Sequence, residues 1–330
     1  MRIAICGGRL VGAYLYRLLQ AAGYTHVSVF EQASPHVTHC GINPCAWGAL
    51  TGFEEKINSA GLKADKYILR TYDSLVINEV AVGARVMLID KPRLIADLLK
   101  GATLLRSAPV AADFDRMIDA TGFARAYLPP VEDDLLASCV QHRIKGPDNC
   151  DPAIYVGNLG YAWRFPLSDS EYHIGAGSVA VAPGRLLEKL GWLADYCQVC
   201  ACASKIRLSG ADSGRPFFSP AKGRPPSVWG VGEAIGCVSP LMGEGILPGL
   251  TSASVLLTNW EEPASYQKAI LKEFSWMKDE RQVLEKLVHH RPLGIFDGTT
   301  LRNSVSRLKM EFNYSQSFSL LNSINRTLTL

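Results

Sequence analysis

Two glycine-rich stretches of this chain have residue types suited to the phosphates and the ring system of one long cofactor. The first is Gly7-Gly8-Arg9-Leu10-Val11-Gly12, and the second runs from Val231 to Ile246. A glycine-rich turn at a helix start presents free backbone N–H groups and the positive end of the helix dipole to an anion. A second such turn supplies contacts for the rest of a folded ligand. Together they indicate FAD rather than a nicotinamide cofactor alone.

The first stretch lies in a predicted βαβ unit. The apolar pattern predicts a buried strand over residues 2–6, a helix over 10–22 that Gly23 ends, and a second strand over 26–30. Glu31 follows directly, where a carboxylate accepts hydrogen bonds from an adenosine ribose. The position of the glycines between a strand and a helix makes the motif specific.

Arg9 departs from the G-x-G-x-x-G pattern that Gly7 and Gly12 define. The middle glycine of that pattern normally allows the backbone to approach the pyrophosphate closely. We expect binding to be retained, with the Arg9 side chain turned outward or its guanidinium paired with phosphate. The alternative is that Arg9 weakens or abolishes cofactor binding.

The remaining elements are predicted from periodicity and from glycine and proline positions. Residues 32–85 are predicted to be irregular, with an apolar loop over 38–48. Pro92 suits the first turn of a helix. Strands are predicted over 85–89, 103–105, 117–118, 161–166 and 171–175, and helices over 91–99, 243–257, 263–287 and 301–312.

Composition limits the classes of function. A net charge of +3 and the lack of a dense Lys/Arg block argue against a nucleic-acid partner. No apolar run approaches the roughly 18 residues needed to span a bilayer, and no signal peptide is evident. We therefore expect a cytoplasmic protein whose contact with a membrane, if any, is peripheral.

The nine cysteines do not form an evident disulfide framework, because their number is odd. Cys197, Cys200 and Cys202 have a spacing that a zinc ion or an iron–sulfur cluster can use. No fourth ligand is obvious nearby, so we predict that they close a helical stretch from Leu186 to Cys202 as free thiols, with no metal bound.

Six segments resemble, in the same order, the geranylgeranyl reductase family of flavoproteins, within the wider group built like p-hydroxybenzoate hydroxylase. The resemblance covers roughly residues 1–258. Each segment is modest by itself, but their order is specific. They are the glycine turn with Glu31, Cys40-Gly41, Ile89-Asp90-Lys91, Ile118 to Gly122, Gly160 to Pro166, and Gly232-Glu233 through Ile246.

The resemblance implies which residues contact FAD. Glu233 stands where the family has an aspartate that bonds the ribityl chain, and Lys91 stands where an arginine is expected. The helix that begins at Gly243 to Gly245 would point at the flavin pyrimidine edge and stabilise its reduced, anionic form by about 0.3–2 kcal/mol. The implied cofactor residues are Gly7, Gly8, Arg9, Leu10, Val11, Gly12, Glu31, Gln32, His39, Cys40, Gly41, Lys91, Val110 (near the adenine), Thr121, Gly122, Gly232, Glu233, Pro240, Gly243, Glu244, Gly245 and Ile246.

Four residues are candidates for a catalytic role. Tyr161, Trp163 and Phe165 alternate along one predicted strand and so face the same side of a sheet. Such a wall can cover the isoalloxazine or guide a polyprenyl chain, although simple sheet packing explains it equally well. Cys40 resembles the cysteine close to the flavin in the reductases, where it would donate a proton, tune the ring or merely pack.

The function implied by the resemblance is reduction of carbon–carbon double bonds in an isoprenoid, with a hydrophobic or lipid substrate. Two alternatives stay open. One is an FAD-dependent monooxygenase or halogenase of the same fold, and the other is a degenerate flavoprotein that binds an isoprenoid or a partner without turnover. The electron donor is left open between a ferredoxin, NAD(P)H and another flavin carrier.

The predicted fold class is α/β. A Rossmann-like FAD-binding domain is expected over residues 1–125 and 205–260, and a mixed or antiparallel β-sheet substrate region over 126–204 is inserted into it. A C-terminal helical segment is expected over 261–330.

Overall fold

The computed structural model describes residues 1–32, 46–146, 151–193, 197–212, 217–219 and 227–327. The strands are β1 (Ile3–Cys6), β2 (Val27–Phe30), β3 (Gly48–Ala49), β4 (Ile68–Ile77), β5 (Val80–Ile89), β6 (Thr103–Leu105), β7 (Arg116–Asp119), β8 (Leu136–Lys145), β9 (Ala153–Gly157), β10 (Gly160–Pro166), β11 (Glu171–Ser178), β12 (Cys197–Arg207), β13 (Phe218–Ser219) and β14 (Ser227–Gly230).

Helices pack around the sheets that these strands form. The α-helices are α1 (Leu10–Ala21), α2 (Phe53–Ser59), α3 (Lys91–Leu98), α4 (Pro183–Lys189), α5 (Ile246–Thr258), α6 (Pro263–Glu273), α7 (Met277–Val288), α8 (Ile295–Arg307) and α9 (Tyr314–Thr327). The predicted α/β class is confirmed.

A six-stranded sheet has the order β13-β14-β7-β1-β2-β6. All its pairs are parallel except β13 with β14. All four residues of β1 are buried, which is typical of a central parallel strand with both faces covered. The predicted N-terminal βαβ unit is therefore confirmed, and it places the Gly7 to Gly12 turn at the carboxyl end of β1.

An eight-stranded sheet has the order β12-β8-β11-β10-β9-β4-β5-β3. Its pairs are antiparallel apart from β4 with β9. The predicted hairpin is confirmed: β10 pairs with β11 from Tyr161 opposite Gly177 to Pro166 opposite Tyr172.

The prediction that residues 32–85 are irregular is wrong for their described part. That part contains α2, β4 and the first half of β5. The pairing of β4 with β5 shifts register twice, between Ile68 and Arg70 and between Tyr72 and Ser74. Such β-bulges interrupt the strict alternation of side chains by which a strand is recognised in a sequence.

The cysteine run lies on a strand and not on a helix, so the predicted helix from Leu186 to Cys202 is wrong. The helix α4 ends at Lys189, and Gly191 adopts a positive φ of 64° two residues later. Cys200 and Cys202 are buried on one face of β12, whereas Cys197 is exposed. Among the residues that the structure describes, no three potential ligand side chains are grouped to hold a metal.

The C-terminal part differs from its prediction in two ways: one predicted helix is divided into two, and an additional helix follows. The predicted helix over 263–287 is divided into α6 and α7, because the chain turns at Phe274 and buries both Phe274 and Met277. The predicted helix over 301–312 corresponds to the end of α8, and α9 follows. Between them, Glu311 forms an isolated bridge with Gly83 of β5.

The predicted domain bounds stay a prediction. Within the range 1–125, the strands β3, β4 and β5 belong to the eight-stranded sheet. In the described part of the chain, no helix has the length and apolarity to cross a bilayer.

Gly12 tests the packing of α1 on the glycine turn. A Cβ at this position would overlap the Gly7 carbonyl oxygen, which is backbone and cannot swing away. We expect Gly12→Ala to lower the free energy of unfolding by about 1–3 kcal/mol in urea denaturation. Gly184→Ala is the matched control, because a Cβ there meets nothing within 4 Å. Equal effects of the two substitutions would contradict the close contact.

Candidate functional site

A cavity of about 260 Å³ joins the two glycine-rich stretches. Residues of the first turn line one part of it, and residues around Gly243 to Ile246 line another. The predicted site residues that line it are Arg9, Leu10, Val11, Lys91, Thr121, Gly122, Tyr161, Trp163, Phe165, Glu233, Gly243, Glu244, Gly245 and Ile246. The structure therefore brings together residues from distant parts of the chain.

The first glycine turn accommodates Arg9 without strain. Arg9 precedes α1 with φ −82° and ψ −169°, an extended conformation that any residue adopts. Its side chain is partly exposed, and its Nε lies 3.7 Å from Glu31 Oε1. The backbone N–H of Gly8 donates to Glu31 Oε2 at 2.6 Å. The turn and the carboxylate after β2 are thus adjacent.

An apolar ledge lies beside Glu31. The Glu31 backbone N–H donates to the carbonyl of Leu105 at 2.9 Å, and a Cβ on Gly8 would lie 3.4 Å from Leu104 Cδ1. Both leucine side chains are exposed, as is Val110 farther along the same connection. An exposed apolar surface next to a carboxylate suits a flat, weakly polar base such as adenine.

Asp119 holds the turn at Thr121 and Gly122. Its buried carboxylate accepts hydrogen bonds from the Thr121 backbone N–H at 3.0 Å and from the Thr121 hydroxyl at 2.6 Å. Its other oxygen accepts from the backbone N–H of Tyr127 at 2.8 Å. Gly122 has φ +68°, and a Cβ there would lie 3.0 Å from Glu233 Oε2. The glycine therefore allows Glu233 to approach this turn.

Glu233 lies on a short turn after β14 and faces the cavity. Its Oε1 accepts a hydrogen bond from the Arg207 backbone N–H at 2.8 Å. Burial raises the pKa of Glu233, while Arg207, Arg9 and Lys91 oppose that rise. Glutamate thus fits at this position, with one oxygen held by β12 and the other turned toward Gly122.

The helix α5 begins where the sequence predicts, but a carboxylate already caps it. Gly245 precedes its first residue, and Glu244 Oε1 accepts from the Leu247 backbone N–H at 2.9 Å. Glu244 Oε2 is buried without a hydrogen-bond partner among the described residues. Burial raises the pKa of Glu244 to about 7, and the nearby carboxylate of Glu280 on α7 adds to the rise. The charge at this helix start therefore depends on pH near neutrality.

The three aromatic side chains of β10 form one wall of the cavity. The rings of Tyr161 and Trp163 are stacked, with centroids 5.7 Å apart. The Trp163 indole N–H donates to Oε1 of the buried Gln141 at 3.1 Å, which fixes the orientation of the ring. On β11, a Cβ on Gly175 would overlap the Trp163 ring, and one on Gly177 would lie 2.7 Å from the Tyr161 ring. These two glycines make room for the aromatic wall.

Part of the cavity wall consists of residues that no sequence motif indicated. Cys139 on β8 lines it, with its Sγ 3.7 Å from the Tyr161 hydroxyl oxygen. Burial raises the pKa of Cys139 to about 12, so the thiol stays neutral. The other residues not identified include Leu75, Val86, Ile154, Lys205, Ile206, Leu308 and Met310. For those that lie on strands, only the alternation of side chains along the strand could have indicated the position.

Some predicted site residues lie elsewhere. His39, Cys40 and Gly41 lie outside the described residues. Gln32 and Val110 are exposed and do not line the cavity, and Pro240 is buried beside a smaller one. Gly7, Gly8, Gly12, Glu31 and Gly232 support or border the cavity-lining residues. Their contacts with a cofactor stay predictions.

Comparisons with known proteins agree with this geometry. No protein-family model matches the chain. A protein of Methanocaldococcus jannaschii, described as uncharacterised, is 24% identical to this chain, and the aligned region spans 87% of this chain and 90% of that protein. A geranylgeranyl bacteriochlorophyll reductase-like protein from Thermoplasma acidophilum has a TM-score of 0.70 at 17% identity, with 99% of this chain and 97% of that chain covered. A flavin-dependent brominase has a TM-score of 0.61 at 13% identity, with 93% and 92% covered.

These likenesses define the class of fold. The chain has the Rossmann-like fold of these structures, which include a reductase-like protein and a flavin-dependent brominase. The predicted fold is therefore confirmed. At such low identities the fold is what is shared, and the reaction has to be argued from the residues of this site.

The titration of Glu244 predicts how stability depends on pH. Its pKa in the folded protein lies above the ordinary value of 4.5, so the folded state binds an additional proton between about pH 4.5 and 7. The free energy of unfolding should fall as pH rises through that window, by on the order of 1–3 kcal/mol. Glu244→Gln should remove this part of the slope and be more stable than the wild type at pH 8.

Urea denaturation at several pH values between 4.5 and 8 measures how the free energy of unfolding depends on pH in the wild type and in Glu244→Gln. The matched control is Glu55→Gln on the exposed side of α2, which should keep the wild-type slope. Parallel curves for the wild type and Glu244→Gln would show that Glu244 titrates normally.

Proposed function

We propose that this protein is an FAD-dependent oxidoreductase that reduces carbon–carbon double bonds of an isoprenoid substrate. The observation that carries the proposal is the single cavity lined by both glycine-rich stretches and by the aromatic wall of β10. Its lining is mostly apolar and includes a smaller number of charged and polar side chains, as small-molecule sites generally do.

The chain has residues that fit each part of FAD. The turn at Gly7 to Gly12 would hold the pyrophosphate, and Glu31 with its apolar ledge would hold the adenosine. Glu233 and the Thr121-Gly122 turn would hold the ribityl chain. The start of α5 would lie at the pyrimidine edge. When bound, FAD supplies hydride transfer through its reduced ring.

Five side chains of the lining, here called the substrate end of the cavity, support an apolar substrate. Side chains from three strands of the eight-stranded sheet line it together with two from the segment after α8, and none of them is charged. They are Leu75, Val86, Ile154, Leu308 and Met310. Such a lining excludes water and binds hydrocarbon by burying it, at roughly 25 cal/mol per Å² of apolar surface.

The aromatic wall would orient the alkene and supply the proton that completes its reduction. Trp163 is held by Gln141, so it presents a fixed face to the cavity. The Tyr161 hydroxyl is an O–H donor at the same wall, next to the neutral Cys139 thiol. We assign proton donation to Tyr161 Oη, with Cys139 as its neighbour. Cys40, outside the described residues, is the second candidate donor.

A monooxygenase or halogenase is the second candidate, because the flavin-dependent brominase has the same fold. Anaerobic reduction of a prenyl substrate by the reduced enzyme supports the reductase, whereas oxygen consumption with a stoichiometric hydroxylated product supports a monooxygenase. Reduction under NADPH, NADH and a reduced ferredoxin in turn identifies the electron donor.

Flavin occupancy tests the cofactor assignment. We expect the purified protein to carry FAD, or to take it up, with a visible absorbance spectrum and with FAD identified by mass spectrometry after release. Arg9→Gly and Glu233→Asp should both keep occupancy, because the backbone at Arg9 is unstrained and one oxygen of Glu233 is held independently. A wild-type protein that stays colourless with added FAD would support the non-catalytic alternative.

Met310 tests the substrate end of the cavity. Met310→Trp fills part of the lining, so KM for a long prenyl chain should rise about tenfold or more while turnover of a short one is kept. Steady-state kinetics with prenyl substrates of increasing length measures the effect. Leu69→Trp, at an exposed position on β4, is the control. An unchanged length preference in Met310→Trp would place the substrate elsewhere.

A further inference from the structure

We propose that the surface formed by Ile295, Phe296, Tyr314 and Phe318, here the aromatic surface, docks on an anionic lipid bilayer and turns the substrate end of the cavity toward it. This proposal rests on the proposed function, because it names where an isoprenoid lipid would be collected.

The aromatic surface is unusually exposed for its composition. Ile295 is 83% exposed, Phe296 90%, Tyr314 75% and Phe318 66%. Isolated exposed apolar residues are ordinary on soluble proteins, whereas several large ones on adjacent elements mark an interaction site. Aromatic side chains are also enriched where proteins meet the membrane–water interface.

Contacts between α8 and α9 make the two helices that carry these four side chains direct neighbours. Arg302 lies 4.1 Å from the centre of the Tyr314 ring, and a Cβ on Gly298 would lie 3.6 Å from Leu321 Cδ2. The helices are therefore antiparallel neighbours. Tyr314 and Phe318 are four residues apart and lie on one face of α9. Phe296 and Ile295 begin α8 at the other end of the same hairpin.

Charge in this region complements an anionic membrane. Residues 286–327 contain six Lys or Arg and two Asp or Glu, while the whole chain has a net charge of only +3. The six are Lys286, Arg291, Arg302, Arg307, Lys309 and Arg326. Basic side chains near an apolar surface bind the anionic headgroups of a bilayer.

The aromatic surface and the cavity belong to one continuous part of the chain. Leu308 and Met310, between α8 and α9, line the cavity. The Glu311 backbone N–H donates to the carbonyl of Gly83 at 2.7 Å, and the Gln316 side chain donates to the carbonyl of Ala81 at 2.7 Å. These bonds fix the segment after α8 and the start of α9 to β5. A bilayer on the aromatic surface would thus lie close to the segment that lines the substrate end.

Vesicle flotation tests the proposal. The holoenzyme should float with vesicles of phosphatidylglycerol and phosphatidylcholine, and binding should fall with added salt and with pure phosphatidylcholine. The double variant Phe296→Ser/Phe318→Ser should lose at least tenfold in bound fraction. Leu69→Ser/Val199→Ser, at exposed positions on β4 and β12, should bind as the wild type does.

Each outcome decides between this proposal and its competitors. Failure of the wild type to float with anionic vesicles, while it retains FAD and reduces a detergent-dispersed prenyl substrate, would overturn the docking surface and leave the proposed function intact. Binding to anionic vesicles by a protein that takes up no flavin would support the docking surface and overturn the proposed function. Light scattering that shows a dimer for the wild type and a monomer for the double variant, without flotation of either, would show that the aromatic surface contacts a second copy.

Discussion

The fold depends on the close contact between the two glycine-rich stretches. Gly232 has φ +65°, and a Cβ there would lie 3.1 Å from Val11 Cγ1, so the turn after β14 packs directly against the start of α1. On the other side, Gly122 brings its turn within reach of Glu233. Residues at these positions with larger side chains would separate the elements that line the cavity. The site exists because these two glycines allow three backbone segments to converge.

Much of this arrangement is predictable from the sequence. The buried β1, the glycine turn and the start of α5 have local signals, since a strand, a positive φ or a helix start needs particular residue types. The alternating aromatic residues of β10 indicated a shared face, and all three line the cavity. Arg9, which replaces the middle glycine of the pattern, causes no backbone strain, because its φ and ψ are those of an ordinary extended residue.

The parts that were not predicted depend on contacts between distant residues. The bulges in β4 hide its alternation, and the strand β12 is recognised only once it pairs with β8. Cys139, Lys205 and Met310 carry no motif and reach the cavity through the sheet and the C-terminal hairpin. Glu244 is in a predicted site, yet its raised pKa follows from its burial in the folded chain, to which the carboxylate of Glu280 on α7 adds.

We infer that the two stretches hold one flavin between the start of α5 and the aromatic wall. A crystal structure of the protein with FAD would test this arrangement. We expect density for the pyrophosphate at Gly7 to Gly12 and for the ring system between Gly245 and Trp163. Density for FAD at another surface, or a cavity that stays closed to the ring while the protein is saturated with FAD, would contradict it.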